Sequence, residues 1–450
     1  MRILVDTGAY DCANIGDVAM MQVTVSRLRA CWPLAWIGVI TNNPVGLRKL
    51  CPDAIPVSAK GRNCWLVDRN LLGRYHKHLP SFVSEGLDNS KRLLRRSFPS
   101  TLAYLMEKRL KLSGNGVSDF KAFREALLGA NVVVACGMGG LTDHCRVASL
   151  SLLELLEAAS RHGLPTAMFS QGIGPMTDPQ VRSLASKVLP RIDLLAIRET
   201  RTAVPLLKSL GVSEDRLIAT GDDAIELGYA GRSSVIGEAI GVNLRVARSA
   251  AVDSHFIDRV RLAVHAAAQS HNARLIPLPI GNGRASNDRE TLKHVLAGLD
   301  GAVPDNDVLD TPASIIKQVG LCRVVLTGAY HAAVFALSQG IPAVCLAKSP
   351  YFVNKFLGLA EQFKPGCEVV MLDSPNFEDE ILDAIDRLWR LAHELRPRLQ
   401  EIAALKIGAS RQAYKRFAEV VAQRFEPVPP QVLETTSTRS VRPALMKVND

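Results

Sequence analysis

No apolar run in this 450-residue sequence approaches the length of about 20 residues that a membrane-spanning helix requires. Aromatic residues make up only 5% of the chain and no nucleic-acid recognition module is present, so nucleic acid is not expected as a partner. The nine cysteines are scattered, without a CxxC pair or a Cys/His spacing typical of zinc ligands. We therefore expect buried reduced thiols and no metal site.

The rest of the composition is typical of a soluble globular protein. Hydrophobic residues make up 47% of the chain and charged residues 22%, and the length is sufficient for two domains. Met1 and Arg2 lead directly into a strand pattern rather than a signal peptide, which predicts a cytoplasmic protein. The net charge of +10 indicates an anionic partner without identifying it.

Part of the positive charge lies in residues 91–111, where basic residues alternate with large apolar ones. This pattern is typical of a helix that lies on an anionic membrane, which would place the protein peripherally at the inner face of the membrane. It is equally typical of a solvated basic helix that packs its leucine side inward. The sequence leaves both interpretations open.

Strand and helix patterns alternate along most of the chain, which predicts parallel sheets flanked by helices. Residues 43–120 are too irregular to assign, and they include a basic helical insertion around 60–120. The predicted strands are 2–7, 36–41, 131–136, 166–170, 194–197, 216–220, 240–244, 273–278 and 324–326. The predicted helices are 18–30, 150–162, 181–189, 200–210, 255–270, 285–299 and 312–319, with further helices from 376 onward.

A break rich in glycine, serine and arginine at 228–238 divides this alternation into two similar halves. We therefore predict an α/β protein with two Rossmann-like domains, residues 1–232 and 233–425, that face each other across a cleft in a GT-B-like arrangement. Residues 426–450 are rich in Pro, Thr, Ser and Val without periodicity, and a disordered tail is expected there.

The most informative segment is 323–346, RVVLTGAYHAAVFALSQGIPAVCL. An apolar strand runs into a turn of small residues, His331 opens an apolar helix, and Gly340 ends that helix before a second strand. Such a βαβ unit places His331 at the carboxyl end of a parallel strand, where open α/β sheets bind ligands, and at a helix N-terminus that can bind an anion. A plain helix-cap or core role is the alternative.

Three glycine-containing loops follow strands in the first half, at 8–17, 137–140 and 170–175. Glycines permit tight turns, and three such loops favour a cleft lined by backbone N–H donors. Asn14 and Asp17 lie in the first loop. Asp17 either caps the following helix, which is the favoured interpretation, or contacts a substrate hydroxyl.

Two arginines directly follow strand patterns and can present planar guanidinium groups to a carboxylate or phosphate. Arg198 follows LLAI, with a salt bridge to Glu199 or to a nearby acid as its alternative role, and Arg245 ends GVNLR. Asp222 and Asp223 follow another strand, where they either orient a basic residue or cap the next turn.

Seven short motifs follow one another in the sequence: Asn14-Ile15-Gly16-Asp17, Gly139-Gly140-Leu141-Thr142-Asp143, Ser170-Gln171-Gly172-Ile173-Gly174-Pro175, Ile197-Arg198-Glu199, Thr220-Gly221-Asp222, Gly241-Val242-Asn243-Leu244-Arg245 and His331-Ala332. In this order they resemble the motifs of the polysaccharide pyruvyl transferase family, and together they cover roughly residues 1–360.

The resemblance implies a GT-B-like fold and transfer of a pyruvyl group from phosphoenolpyruvate to a pair of sugar hydroxyls in cell-surface polysaccharide (exopolysaccharide) biosynthesis. Phosphoenolpyruvate would be the donor substrate, with no cofactor, and the acceptor would be a sugar or a lipid-linked oligosaccharide. The resemblance is also compatible with a homo-oligomer. His331 would be the catalytic histidine and Arg198 the anion-binding arginine.

Further residues would bind substrate if the resemblance holds: Asn14, Asp17, Gly139, Gly140, Gln171, Gly172 and Arg245. Family members often carry a lysine after the strand that follows the histidine helix, and the candidates here are Lys348 and Lys355. Members also often show an Arg-Leu pair before the histidine, whereas this chain has Ala329-Tyr330.

The residue types suit this chemistry. Phosphoenolpyruvate carries a carboxylate and a phosphate, which arginine, lysine and helix N-termini bind. Forming a ketal requires a proton delivered to the methylene carbon and protons removed from sugar hydroxyls, and histidine can do either near neutral pH. A nearby acid is needed if His331 is to donate the proton.

Two other functions remain open on the sequence. A GT-B glycosyltransferase with a nucleotide-sugar donor would share the fold, and Glu361 could then bind the ribose. A non-catalytic sugar-binding or assembly subunit on the membrane would keep the fold and lose the donor site, which the Ala329-Tyr330 pair favours.

Overall fold

The computed structural model describes residues 1–67, 81–245, 254–283, 286–298 and 309–425. The disordered tail expected at 426–450 and part of the basic insertion, residues 68–80, lie outside the described residues.

The first half of the chain forms a parallel sheet with helices on both faces. Its strands are β1 (Arg2–Asp6), β2 (Trp36–Thr41), β3 (Ile55–Ser58), β4 (Val132–Ala135), β5 (Thr166–Gln171), β6 (Leu194–Ile197) and β7 (Leu217–Ala219), in the order β3-β2-β1-β4-β5-β6-β7. All six strand pairs are parallel. Strands such as β4, VVVA, are apolar at every position because helices cover both faces.

The helices of the first half connect these strands. They are α1 (Ile15–Cys31), α2 (Pro44–Leu50), α3 (Ala59–Leu66), α4 (Ser81–Ser97), α5 (Pro99–Ser113), α6 (Val117–Leu128), α7 (Arg146–Arg161), α8 (Pro179–Val188), α9 (Ala203–Ser209) and α10 (Ala224–Ala230). In its described residues, the segment 43–120, which the sequence left unassigned, contains the edge strand β3, the helices α2 to α5 and the start of α6.

The second half forms a smaller parallel sheet. Its strands are β8 (Ala239–Asn243), β9 (Arg274–Pro277), β12 (Cys322–Thr327), β13 (Ala343–Ala347) and β14 (Cys367–Met371), in the order β14-β13-β12-β8-β9, with a short hairpin of β10 (Asn282–Gly283) and β11 (Ser286–Asn287) beside it. Its helices are α11 (Ser254–Ser270), α12 (Asp288–Val295), α13 (Pro312–Val319), α14 (Tyr330–Gln339), α15 (Pro350–Gln362) and α16 (Phe377–Phe425).

The described part of the chain ends in one long helix, α16, where the sequence predicted several helices. Helix α16 contacts β12, β13 and β14 of the second sheet and then β6 and β7 of the first. Near its end, the Tyr414 ring stacks on Phe169 of β5 at 3.7 Å, and the Tyr414 hydroxyl donates to Asp223 Oδ2 at 2.8 Å. The C-terminal helix therefore ties the two halves together.

The strand order reverses once in each sheet, and ligands of open α/β proteins bind at such switch points. In the first sheet the reversal lies between β1 and β4, and in the second it lies between β8 and β12. The loop after β1 and the start of α1 meet the loop after β9 across the cleft, where Ile15 N–H donates to Ile280 O at 2.9 Å. Within the described residues, no helix is long and apolar enough to cross a bilayer.

Candidate functional site

His331 lies where the strand-turn-helix pattern predicts it. Strand β12 ends at Thr327, α14 begins at Tyr330, and Gly340 ends this helix with a φ of +84°. That left-handed conformation suits glycine because it has no Cβ. His331 is the second residue of α14 and is buried at the cleft between the two halves.

An acid lies next to His331, as proton donation by this residue would require. Asp222 Oδ2 of the first half is 3.6 Å from His331 Nε2. Asp222 Oδ1 also accepts a bond from Ala224 N–H at 2.9 Å. Both roles that the sequence left open, capping a turn and orienting a basic residue, are thus combined in Asp222.

Asp222 stays ionised in this buried place. Burial alone would raise its pKa, but the contact with His331 and the positive charge of Arg198 hold the pKa below its usual range. The resulting carboxylate can stabilise a protonated His331 imidazole.

Arg198 is 2% exposed and lies between Asp222 and Tyr330. Its Nη1 is 3.5 Å from Asp222 Oδ2, and its guanidinium carbon is 4.4 Å from the centre of the Tyr330 ring. Glu199 is not the partner of Arg198, because it accepts bonds from Thr202 and from the Ala203 N–H at the start of α9. The alternative role of Arg198, a salt bridge to a nearby acid, is confirmed with Asp222 as that acid.

Three polar atoms at the site are buried without a hydrogen-bond partner in the described part of the chain. They are His331 Nε2, Arg198 Nη2 and Gln171 Oε1. Buried polar groups are normally satisfied, so such a group of orphans indicates that water or a ligand belongs there. Two nitrogen atoms of basic side chains among the three favour an anionic ligand.

The glycines of the family motifs make room for these side chains. A Cβ added at Gly172 would lie 2.5 Å from Arg198 Nη2, and one at Gly139 would lie 2.6 Å from the same atom. A Cβ at Gly16 would lie 1.9 Å from His331 Cγ. Gly140 differs, since its Cβ would meet Met138 Cε at 1.9 Å instead.

Replacing Gly16 by alanine tests this close approach without removing a functional group. We expect Gly16→Ala to displace His331 and to lower kcat by roughly 100-fold, the scale expected for misplaced reacting groups. The measurement is steady-state kinetics with a thermal melt, and Gly86→Ala, where an added Cβ meets nothing within 4 Å, is the control. Unchanged kcat in Gly16→Ala would contradict the tight placement of His331.

The prediction that backbone N–H groups line the cleft is wrong for the third glycine-containing loop, 170–175. Gly172 N–H donates to Met138 O at 3.1 Å, and Gly174 N–H donates to Leu141 O at 2.9 Å. Gln171 Nε2 donates to Cys136 O at 2.8 Å. These groups join the loops after β4 and β5 to each other, so side chains rather than these N–H groups face a ligand.

Of the two lysine candidates, the structure brings Lys355 to the cluster and not Lys348. Lys355 Nζ donates to the Tyr351 hydroxyl at 3.2 Å and lies 5.0 Å from the centre of the Tyr330 ring. Lys348 Nζ instead lies 3.8 Å from the centre of the Phe256 ring, against α11. Burial, followed by the charge of Arg198, lowers the pKa of Lys355 well below its usual range.

Tyr351 closes the pocket from the second half, and the sequence analysis missed it. Burial raises its pKa to about 12, and its hydroxyl donates to Gly139 O at 2.6 Å across the cleft. A sequence pattern could have identified Tyr351, because it is four residues from the candidate Lys355 and the two therefore share one face of a helix. The pocket is lined by Gly139, Gly172, Ile173, Gly174, Arg198, Glu199, Thr202, Tyr351, Asn354 and Lys355.

The first glycine-containing loop, 8–17, shows that the predicted capping role of Asp17 is wrong. Asn14, not Asp17, caps α1, because its Oδ1 accepts bonds from Gly16 N–H at 3.0 Å and Asp17 N–H at 3.3 Å. Asp17 is half-buried near the basic cluster. Burial raises its pKa, and the charges of His331, Lys355, Arg245 and Arg198 act against that rise. Its carboxylate is therefore near enough to these basic side chains to interact with their charges.

Arg245 is held by Asp288 at the start of α12. Its Nη2 is 3.2 Å from Asp288 Oδ2, which also accepts bonds from Asn243 Nδ2 at 2.8 Å and Gly281 N–H at 2.8 Å. Glu361, the candidate ribose ligand of a nucleotide-sugar enzyme, forms an ion pair with Arg201.

The comparisons with known proteins agree with this geometry. The family model for polysaccharide pyruvyl transferase matches residues 14–350, most of the chain. No curated protein sequence matches the chain.

Solved structures are similar in fold. The UDP-GlcNAc 2-epimerase of Neisseria meningitidis bound to UDP-GlcNAc is 12% identical, with 94% of this chain and 100% of that chain covered and a TM-score of 0.51. The MnaA protein of S. aureus, solved with UDP, is 14% identical, with 94% and 96% covered and a TM-score of 0.52. The predicted GT-B-like arrangement is confirmed.

Proposed function

Because the chain belongs to the polysaccharide pyruvyl transferase family, we propose that it transfers the pyruvyl group of phosphoenolpyruvate to two hydroxyls of one sugar. The observation that carries this proposal is the cluster of the buried His331 and Arg198 with the half-buried Lys355, in which His331 Nε2 and Arg198 Nη2 have no hydrogen-bond partner among the described residues. A small dianion with an enol carbon suits such a site, since it needs several positive charges and one titratable group.

The reaction balances as follows. One sugar hydroxyl proton goes, by way of the enzyme, to the methylene carbon of phosphoenolpyruvate, which becomes a methyl group. Both sugar oxygens bond to the central carbon, the bond from that carbon to the phosphate oxygen breaks, and the second hydroxyl proton leaves with inorganic phosphate. No oxidant, reductant or cofactor is required.

His331 is the proposed proton carrier. In its protonated form, paired with Asp222, it would deliver the proton to the methylene carbon. The 3.6 Å separation of the two side chains is longer than a hydrogen bond, as is common before substrate binds. Asp17, near the same basic cluster, would accept a hydrogen bond from an acceptor hydroxyl.

Arg198 and Lys355 are the proposed donor ligands. The orphaned Nη2 of Arg198 is free to bind a carboxylate or phosphate oxygen, and its planar fork favours two parallel bonds. Lys355 replaces, from α15, the positive charge that an arginine before the histidine would bring, since Ala329 and Tyr330 occupy those positions. Tyr330 provides the aromatic surface on which both cations lie.

The lowered pKa of Lys355 predicts a pH dependence of donor binding. The ammonium form is lost as pH rises through this lowered pKa, and a bound anion favours the ammonium form. Binding should therefore take up a proton, and affinity for phosphoenolpyruvate should fall by up to about tenfold per pH unit in that window. Asp17, whose pKa burial raises, should contribute in the same way at lower pH. As pH rises and Asp17 loses its proton, affinity for the anionic donor should fall.

Calorimetric titration in two buffers of different ionisation enthalpy measures this proton uptake. Lys355→Met should bind phosphoenolpyruvate more weakly and without the dependence at high pH, whereas the matched variant Lys348→Met should behave as wild type. Equal losses in both variants, or a dependence that survives in Lys355→Met, would contradict the assignment.

Transfer itself is tested by mass spectrometry with phosphoenolpyruvate and a panel of oligosaccharides. We expect a product heavier than the acceptor by pyruvic acid less water, with inorganic phosphate released in equal amount. Release of a nucleoside diphosphate from a nucleotide-sugar, with no use of phosphoenolpyruvate, would instead establish the glycosyltransferase alternative. No turnover of either donor would favour a non-catalytic subunit.

The acceptor we propose is a sugar chain of a cell-surface polysaccharide, either free or lipid-linked. A cytoplasmic enzyme would meet a lipid-linked chain at the inner face of the membrane. The exposed apolar side chains within 91–111 support a peripheral location there.

A further inference from the structure

The basic residues of α4 face the protein rather than solvent. Arg92 and Arg95 both form ion pairs with Glu154 of α7, and Arg96 Nη2 is 2.7 Å from Glu157. Arg95 also donates to Trp65 O at the end of α3. The arginines that look like a solvated basic face in the sequence are thus used to attach α4 to α7.

The apolar residues of the same segment face outward. Leu93 is 65% exposed, Phe98 at the corner between α4 and α5 is 61% exposed, and Leu112 is 91% exposed. Together with the exposed Leu94, Tyr104 and Leu105, these residues are called the apolar face below. Helix α5 does bury Leu102 and Leu110. On α4, however, Leu93 and Leu94 are exposed, so the interpretation with leucines packed inward is wrong for these two residues.

The apolar face indicates a binding surface, since six large apolar side chains within 20 residues are rarely left exposed to water. We infer that the apolar face inserts into the headgroup region of a membrane that contains anionic lipid. This deepens the membrane location given under the proposed function, and it is independent of the transfer chemistry.

The positive charge beside the apolar face favours a membrane, rather than a second copy of the chain, as the binding partner. Of the seven basic residues in 91–111, the four on α4 face the protein, whereas Lys108, Arg109 and Lys111 lie on α5 with a single acid, Glu107. Lys111 and Lys121 share that acid, at 3.0 and 3.1 Å, and the exposed Lys108 lies 5.0 Å from the centre of the Tyr104 ring. A two-fold contact would bring this basic surface against itself, which is unfavourable, whereas anionic lipid would complement it.

Insertion differs measurably from simple electrostatic attraction. Apolar contact resists salt, while attraction between exposed charges is largely screened at about 0.5 M salt. We therefore expect binding to anionic vesicles to weaken by less than about tenfold between low and high salt, with weaker but detectable binding to neutral vesicles.

The test is vesicle flotation of the full-length protein with phosphatidylcholine alone and with added phosphatidylglycerol. The variant Phe98→Glu/Leu105→Glu/Leu112→Glu should lose at least about tenfold in binding to both vesicles. Leu34→Glu/Leu262→Glu/Leu405→Glu, with three exposed leucines on other elements, is the matched control and should bind as wild type. Thermal melts establish that both variants fold.

Three outcomes would overturn the inference. The first is no binding of wild type to either vesicle, and the second is binding that salt abolishes and the apolar-face variant retains. The third is a dimer, seen by sedimentation velocity, that only the apolar-face variant disrupts while vesicle binding is absent. Each outcome leaves the pyruvyl transfer assay with soluble oligosaccharides unaffected, so failure here is distinguishable from failure of the proposed function.

Discussion

Replacing His331 by asparagine is expected to lower kcat by about 10²–10⁴-fold, the usual contribution of one general acid or base. Asparagine is smaller than histidine, so it fits beside Gly16, and it keeps a polar group near Asp222. It cannot carry a proton to the methylene carbon. Affinity for phosphoenolpyruvate should change much less than kcat, because Arg198 and Lys355 remain.

The control for this variant is His294→Asn, which removes an exposed histidine paired with Asp258 at 2.7 Å. It should leave kcat and KM unchanged. Turnover by His331→Asn at the wild-type rate, with the fold intact, would exclude His331 as the proton carrier. A loss of affinity equal to the loss of kcat would assign His331 to binding instead.

Replacing Arg198 by methionine should chiefly weaken donor binding. Losing a buried partner of an anion costs about 2–5 kcal/mol, which corresponds to a rise of about 30-fold or more in the KM for phosphoenolpyruvate. Methionine fills much of the space beside Gly172 while removing the charge. Stability should also fall, because Asp222 then keeps His331 as its remaining basic contact among those described.

Two variants make this measurement specific. Arg198→Lys keeps the charge but not the planar fork, so it should restore only part of the affinity. Arg201→Met removes a nearby exposed arginine that pairs with Glu361, and it should leave the KM unchanged. An unaltered KM for phosphoenolpyruvate in Arg198→Met would show that Arg198 has only a structural role.

Much of the fold follows from sequence pattern. Strands β2 and β6 and helix α13 have the predicted bounds, because each is a short apolar or amphipathic run with clear punctuation. Residues 43–120 resisted assignment since β3 is an edge strand of four residues and the helices after it alternate basic and apolar residues. From 376 onward the sequence predicted helices in the plural, whereas the structure has the single helix α16, which continues through Pro397.

The site was predictable where it depends on topology and less so where it depends on three-dimensional contacts. His331 and Arg198 were found because strand ends of parallel sheets meet at one edge. The choice between Lys348 and Lys355 depends on the helical phase of α15, and the partner of Arg198 is 24 residues away in sequence. The outward orientation of Leu93 and Leu94 on α4 depends on the ion pairs of that helix with Glu154 and Glu157, which no local sequence pattern predicts.

The central claim is that the cluster of His331, Arg198 and Lys355 binds an enolpyruvyl donor rather than a nucleotide. Isothermal titration of the wild-type protein with phosphoenolpyruvate, UDP and GDP tests it most directly. We predict saturable binding of phosphoenolpyruvate with proton uptake, and no binding of UDP or GDP. Binding of UDP or GDP alone would contradict the claim.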